Sequence, residues 1–400
     1  MVVAGGGIAG LEALLALRDL AGDRAALTLV APEPDFTYRP MIVEEPFSDQ
    51  PAERRELSPI VEELGAELLP TKLQSVDPAS QEVRLGDGSS AKYDALIVCV
   101  GARQRPAYNN VTTFQSAGES LRLAGLLAEH LTPQRIAFVV PPDANWPLPI
   151  YELALLTEMR ARQLGRHDVQ IEIFTPEAEP LIVFGTTASH AVAETLRGRG
   201  IEFHGGTRVA EEDSWLIVHP GGEPLEVDHV VSLPVLEGPS IEGLPSDEHG
   251  FLPIDDRARV KGVEHVYAAG DGTNFPIKQG GIGTQQADAA AEDIAASLGA
   301  PVEPEPFEPV LRGMLITGEE SLSLKHSLTG GHGEGTASSD YLWWPPHKVS
   351  GRYLAAWLSG ESVHVASEPP ERGLEVEVAL PKEWHQEPMA IDPLEPPRVD

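Results

Sequence analysis

The chain has 400 residues and a mass of 43.0 kDa, enough for two or three domains at about 100–200 residues each. It carries 29 Lys and Arg against 62 Asp and Glu, a formal charge of −33 at pH 7. That balance argues against nucleic acid, which is held by cations that neutralise phosphates, and against electrostatic docking on anionic lipid.

The first ten residues read MVVAGGGIAG. Val2 to Ala4 predicts a short buried strand. Gly5, Gly7 and Gly10 then have GxGxxG spacing, Leu11 to Leu20 carries a helical apolar pattern, and Leu27 to Val30 predicts the next strand. Strand, glycine turn, helix and strand together predict a dinucleotide-binding unit. Gly5 allows the tight turn, Gly7 lets the backbone approach a pyrophosphate, and Gly10 lets the helix pack closely on the strand. The helix N-terminus points its positive end at the phosphates. An acidic residue that binds ribose is expected at the end of the second strand, where Ala31 stands. Glu33, two residues on, is within reach of a ribose and reads equally well as a solvated acid.

Residues 93–102, YDALIVCVGA, predict a buried strand ending in a glycine turn. Cys99 lies within it and is the single cysteine. One thiol forms no internal disulfide, no CxxC redox pair and no cysteine-based zinc site. Cys99 reads as a small apolar filler. No apolar run of 18 residues and no secretory signal pattern is present, so the expected location is cytoplasmic. A second α/β unit follows: strands at 135–140, 169–174, 201–204, 214–218 and 230–233, and helices at 151–164 and 190–200. The strand Val266 to Ala269 runs into Gly270-Asp271, where an Asp can accept a hydrogen bond from a sugar-like hydroxyl. A helix is predicted over Ile282 to Leu298. From Phe307 the pattern breaks into short apolar pieces. Residues 361–400 hold ten acids, three bases and seven prolines and predict an irregular acidic tail, with an edge strand open at 374–380.

Three pieces in order, GGGIAG, YDALIVCVGA and VYAAGD, resemble the FAD-dependent pyridine nucleotide-disulfide oxidoreductase superfamily. Within it the chain resembles the type II NADH dehydrogenase and sulfide:quinone oxidoreductase group over residues 1–300, and more weakly to about 358. The resemblance implies an α/β fold of two Rossmann-like three-layer domains plus a small C-terminal region. It implies an FAD-binding domain in two parts, 1–132 and 246–306. Around it fall a middle NAD(P)H-like or substrate domain at 133–245, a C-terminal cap at 307–360 and the tail at 361–400. FAD would be cradled by Gly5, Gly7, Ile8, Ala9 and Gly10, with Gly101 at a second turn and Gly270 and Asp271 on the ribitol or phosphate side. Phe36-Thr37-Tyr38-Arg39-Pro40 resembles the segment passing near the isoalloxazine. Arg39 reads as a partner for a phosphate or for a carboxylate at the domain junction, or as one side of a surface salt bridge.

Lys278-Gln279-Gly280 resembles the Lys-Thr-Gly stretch of sulfide:quinone oxidoreductases. Gly281 and Ile282 open the helix that abuts the flavin. Its N-terminus and a cation at Lys278 would stabilise the charge of reduced flavin around N1 and C2=O. A solvated Lys278 is the alternative.

Two departures matter. Between Val140 and Glu152 no glycine occurs, and four prolines stand in PPDANWPLP. A conventional NAD(P)H pyrophosphate turn is therefore not expected. Glu152 matches the Glu after that turn in family members and reads as ordering the substrate or a neighbouring cation, or as a helix N-terminal carboxylate. Glu152 and Trp146 are the donor-side candidates. The single cysteine also excludes the two-cysteine chemistry of sulfide oxidation. The segment YLWWPPHKVSGRYLAAWL (341–358) offers aromatics for a planar acceptor and His347 or Lys348 for protons, or simply packs against the FAD domain.

The expected function is an FAD-dependent oxidoreductase passing electrons from a reduced donor, NAD(P)H among the candidates, to a quinone-like or other small acceptor, with Lys278 and Glu152 as catalytic candidates. The alternative is a flavin-binding sensor or interaction protein that lost turnover. No nucleic acid, metal or transmembrane segment is expected. A homodimer and loose membrane association stay open.

Overall fold

The computed structural model describes residues 1–48, 52–115, 134–328 and 335–360, together with Leu123 and Gly125. The acidic tail and the candidate strand at 374–380 lie outside the described residues. In chain order, β1 (Val2–Ala4), α1 (Ile8–Ala21), β2 (Thr28–Val30), α2 (Leu57–Glu63), β3 (Glu67–Leu69) and β4 (Leu96–Val98) come first. Then follow β5 (Thr112–Thr113), β6 (Gln134–Val139), α3 (Leu148–Gln163), β7 (Val169–Phe174), α4 (Thr186–Gly198), β8 (Glu202–His204) and β9 (His229–Ser232). β10 (Val266–Ala268), α5 (Gly280–Ser297), β11 (Val310–Leu315), β12 (Leu322–Ser327), β13 (Thr336–Ser338) and α6 (Leu354–Leu358) complete the set used below.

Two parallel five-stranded sheets dominate. The first has the order β10-β4-β1-β2-β3, so the chain returns to the N-terminal sheet after building the second. The second has the order β5-β9-β6-β7-β8. β1, β4 and β10 are buried along their whole length, as parallel strands covered on both faces must be. This explains why they read as continuous apolar runs rather than alternating ones.

Helices α1 and α5 pack on each other and on the first sheet. Small residues permit the approach. A Cβ on Gly283 would stand 3.0 Å from the Gly270 Cα and 3.5 Å from the Ala9 Cβ. Ala287, Ala290, Ala291 and Ala295 of α5 are fully buried.

The helix starts lie earlier than the apolar pattern predicts. Helix α3 begins at Leu148 rather than Tyr151, because proline is tolerated in a first turn and Pro149 sits there. Strands β11 to β13 form an antiparallel sheet that the sequence does not announce. Arg312 and Gly313 interrupt the apolar alternation of VLRGML. This sheet joins the second core: Leu311, Leu315 and Leu324 are fully buried with Leu148, Tyr151 and Phe184. A Cβ on Gly313 would meet the Phe184 ring at 2.4 Å, so only glycine lets the sheet settle there.

Candidate functional site

The turn after β1 has the three expected glycine roles. Gly5 has φ +120°, and a Cβ there would stand 2.2 Å from the Cys99 carbonyl oxygen. A Cβ on Gly10 would stand 1.8 Å from the Gly5 carbonyl oxygen. Gly7 is different: a Cβ there would meet nothing within 4 Å, so its backbone borders open space. Gly7 is also the N-cap of α1, and no side chain caps the helix. The first helical amide bond is Leu11 N–H to Gly7 C=O. The amides of Ile8, Ala9 and Gly10 are left without an intrahelical acceptor, in a helix with no acid in its first turn. These amides and the positive end of α1 fit an anion such as a pyrophosphate.

Asp271 follows β10. Its carboxylate is half-buried and accepts no hydrogen bond from a described residue. Burial raises its pKa, against the attraction of Lys278 and Arg39. A partly desolvated carboxylate that accepts no hydrogen bond from a described residue, close to the spare amides of α1, fits the hydroxyl-rich ribitol of FAD. Arg39 is exposed, and its charge favours the ionised form of Asp271. Glu33 is exposed. Gly101 has φ +71° with open space at its Cβ position, and a Cβ on Gly272 would come 2.9 Å from its carbonyl oxygen.

Lys278 is not solvated. It is 6% exposed. Its Nζ donates to the Thr273 carbonyl and stands 3.7 Å from the centre of the Phe251 ring. Burial lowers its pKa to about 8, with Asp271 and Asp247 pulling the other way. Gln279 caps α5: its Oε1 accepts from Ile282 N–H at 2.9 Å, and its Nε2 donates to the Arg312 carbonyl at 3.0 Å. Gly270 N–H donates to the buried Gln286 Oε1 at 2.8 Å, tying α5 to the Gly270-Asp271 turn. Gln286 carried no motif in the sequence, and Gln279 stood only as the middle residue of the Lys278-Gln279-Gly280 stretch, with no role of its own. The signal available for Gln279 was its place directly before the helix-opening glycines.

Glu152 is wholly buried and its carboxylate is fully engaged. Oε2 accepts from Lys348 Nζ at 2.7 Å, and Oε1 accepts from Ile316 N–H at 3.0 Å. Lys348 also donates to the Pro40 carbonyl at 2.6 Å. The neighbouring cation expected for Glu152 is therefore Lys348, and the pair joins the Arg39-Pro40 segment, α3 and the C-terminal segment. The rest of 341–358 packs as a plug. Trp343 is buried, with its indole N–H on the His347 carbonyl. Ser350 C=O accepts from Thr284 on α5. The amides of Tyr353 and Leu354 donate to Glu12 of α1 at 2.9 and 2.6 Å. Trp344 and Tyr341 remain exposed.

The start of α3 contrasts with that of α1. Pro149 has no N–H, Ile150 N–H is already bonded to Pro147 C=O, and only the Leu148 amide is spare in the first three residues. Asn145 donates to the Pro276 carbonyl at 3.1 Å, and Trp146 packs edge-on against Phe184 at 5.7 Å. At the end of β7, where a ribose-binding acid is expected, Glu177 is buried. It accepts from Tyr151 Oη at 2.6 Å and from Thr175 Oγ1 at 3.1 Å.

The family model for pyridine nucleotide-disulphide oxidoreductases matches residues 1–140 and 153–292. The chain belongs to this family. The match breaks off across 141–152, the proline turn in front of Glu152. Among solved structures, the chain is similar to the sulfide:quinone oxidoreductase of Aquifex aeolicus, with TM-score 0.74 and 20% identity, over 84% of this chain and 86% of that one. It is also similar to the ferredoxin reductase for the CYP199A2 system of Rhodopseudomonas palustris (TM-score 0.61, 18% identity, 82% of each chain). A third is the putidaredoxin reductase–putidaredoxin complex (TM-score 0.59, 17% identity, 82% and 81%). At these identities the likeness shows a common fold. No helix among the described residues is long and apolar enough to cross a membrane.

Proposed function

We propose that this chain is an FAD-dependent oxidoreductase whose electron donor is a small molecule other than a nicotinamide dinucleotide. The contrast between its two Rossmann helix starts carries the reading. α1 presents three spare amides to open space, while α3 presents one and is closed by prolines. Glu177 is buried and its Oε2 already accepts from Tyr151 and Thr175, which disfavours a ribose there. Bound FAD would supply reversible two-electron chemistry. The protein would hold its pyrophosphate at Ile8 to Gly10, its ribitol at Asp271 and its flavin end by the first turn of α5. The Glu152–Lys348 pair would fix the segment around Pro40, so that a small donor meets a rigid, water-poor wall. A charge of −33 works against an anionic protein as acceptor, and a small uncharged quinone-like acceptor escapes that repulsion.

The test is spectroscopic. The purified protein is expected to be yellow, and anaerobic NADH or NADPH is expected to leave its flavin oxidised over seconds, whereas dithionite bleaches it. A colourless protein that FAD does not reconstitute overturns the cofactor. Rapid bleaching by either nicotinamide overturns the assignment of the donor.

A further inference from the structure

We propose that Lys278 is a positioning residue: it holds the turn from Gly270 to Thr273 in the shape that presents Asp271 to the ribitol hydroxyls of FAD, and does not itself face the flavin ring. This rests on the FAD reading above, which assigns the ribitol to Asp271.

Asp271 lies within a turn that is held from three directions. Gln286 of α5 accepts from Gly270 N–H at 2.8 Å. Leu252 N–H donates to the Gly272 carbonyl at 2.9 Å. Lys278 Nζ donates to the Thr273 carbonyl. The turn also closes on itself, because the Thr273 N–H and hydroxyl both donate to the Gly270 carbonyl, at 3.1 and 2.9 Å. Of these holders only Lys278 carries a charge.

The ammonium is occupied where it stands. Lys278 is 6% exposed, and its Nζ lies 3.7 Å from the centre of the Phe251 ring. Phe251 is itself buried and is fixed by Asp247, whose Oδ1 accepts from the amides of His249 and Phe251 at 2.9 Å each. An aromatic face and a carbonyl take two sides of the ammonium, so little of it is open to a bound ring.

The surrounding charges point to one beneficiary. Two carboxylates attract Lys278, those of Asp271 and Asp247. Asp247 is exposed and already receives two amides. Asp271 is half-buried and accepts no hydrogen bond from a described residue, and burial works against its charge. The Lys278 charge opposes that effect, and the exposed Arg39 adds to it. An ionised carboxylate accepts from hydroxyls on both oxygens, whereas a protonated one has to donate once. Lys278 thus gives Asp271 both its place and its charge.

The test is a double-mutant cycle on the full chain, with Lys278→Met, Asp271→Asn and the pair. The readouts are the FAD dissociation constant, from the flavin fluorescence released on dilution, and the reduction potential of the flavin that stays bound. Each single variant is expected to weaken FAD about tenfold or more. The pair is expected to bind FAD within about twofold of Asp271→Asn alone, since the lysine acts through the carboxylate. The potential in Lys278→Met is expected to match that of the wild type. Additive losses overturn the inference, as does unchanged FAD affinity in Lys278→Met. A lowered potential at unchanged affinity overturns it in another way, because the cation would then face the flavin. Should Lys278→Met not fold, Lys278→Gln replaces it under the same outcomes. A colourless wild type that FAD does not reconstitute refutes the cofactor reading instead, so the two failures are told apart.

Discussion

Lys348 Nζ lies 2.7 Å from Glu152 Oε2, and the two residues are 196 positions apart. Glu152 is fully buried, and burial raises its pKa while the Lys348 charge pulls it down. Breaking such a pair from one side strands a charge away from water, which costs about 3–5 kcal/mol. Urea denaturation should show losses of that order for Glu152→Gln and for Lys348→Met. The double variant should lose less than the sum of the two by about 1–3 kcal/mol. Additive losses would mean that the contact carries no energy.

Burial raises the Glu177 pKa from the usual carboxylate value of 4.5 to about 7, despite hydrogen bonds from Tyr151 and Thr175. The folded protein therefore holds a proton there that the unfolded chain releases. The stability this contributes is complete below pH 4.5 and is lost as pH rises through 7. The loss is of the order of 3 kcal/mol. Glu177→Gln, which cannot ionise, should flatten the decline measured by denaturant midpoints at pH 5 and pH 8. An unchanged slope would assign the decline to other groups.

The glycines of the first turn should separate by kind. Gly10→Ala drives a methyl into the Gly5 carbonyl at 1.8 Å and should prevent folding or cost several kcal/mol. Gly7→Ala has room and an ordinary φ of −89°, so thermal stability of the apoprotein should hold within about 1 kcal/mol. Its methyl enters the cradle, so FAD content should fall. Full FAD retention in Gly7→Ala would move the pyrophosphate elsewhere.

Cys99 is buried, and burial pushes its thiol up to about 12. It carries no thiolate at neutral pH and is no nucleophile. Cys99→Ser should keep its FAD and its turnover, while losing about 1–3 kcal/mol of stability through a buried hydroxyl. Loss of turnover with FAD retained would give the thiol a chemical role.

The first unit was legible because its signals are local. Three glycines, a buried strand and an apolar helix lie within 21 residues, and each constraint acts on its near neighbours. The end of β10 and the start of α5 were legible for the same reason. The partners across the fold were not. Glu152 was singled out, but its cation stands 196 positions away. Lys278 was singled out, but nothing nearby in sequence shows its burial over Phe251. Strands β11 to β13 were missed because one cation and one glycine disturb the alternation. Gly313 has a reason that is visible only in three dimensions: the Phe184 ring leaves no room for a side chain there.

The position of β11 to β13 bears on how the chain is made. Leu311, Leu315 and Leu324 complete the apolar core that contains Ile136 and Phe138, and Glu12 waits for amides that lie 341 and 342 positions later. A nascent chain emerges N-terminal end first, at roughly 5–20 residues per second. The second sheet therefore leaves the ribosome with one apolar side still uncovered, and stays so for about 5–20 seconds of synthesis, on that rate, until the last strands arrive. Over that interval the nascent chain is most exposed to wrong partners, and holding factors that shield apolar surface would have most to do.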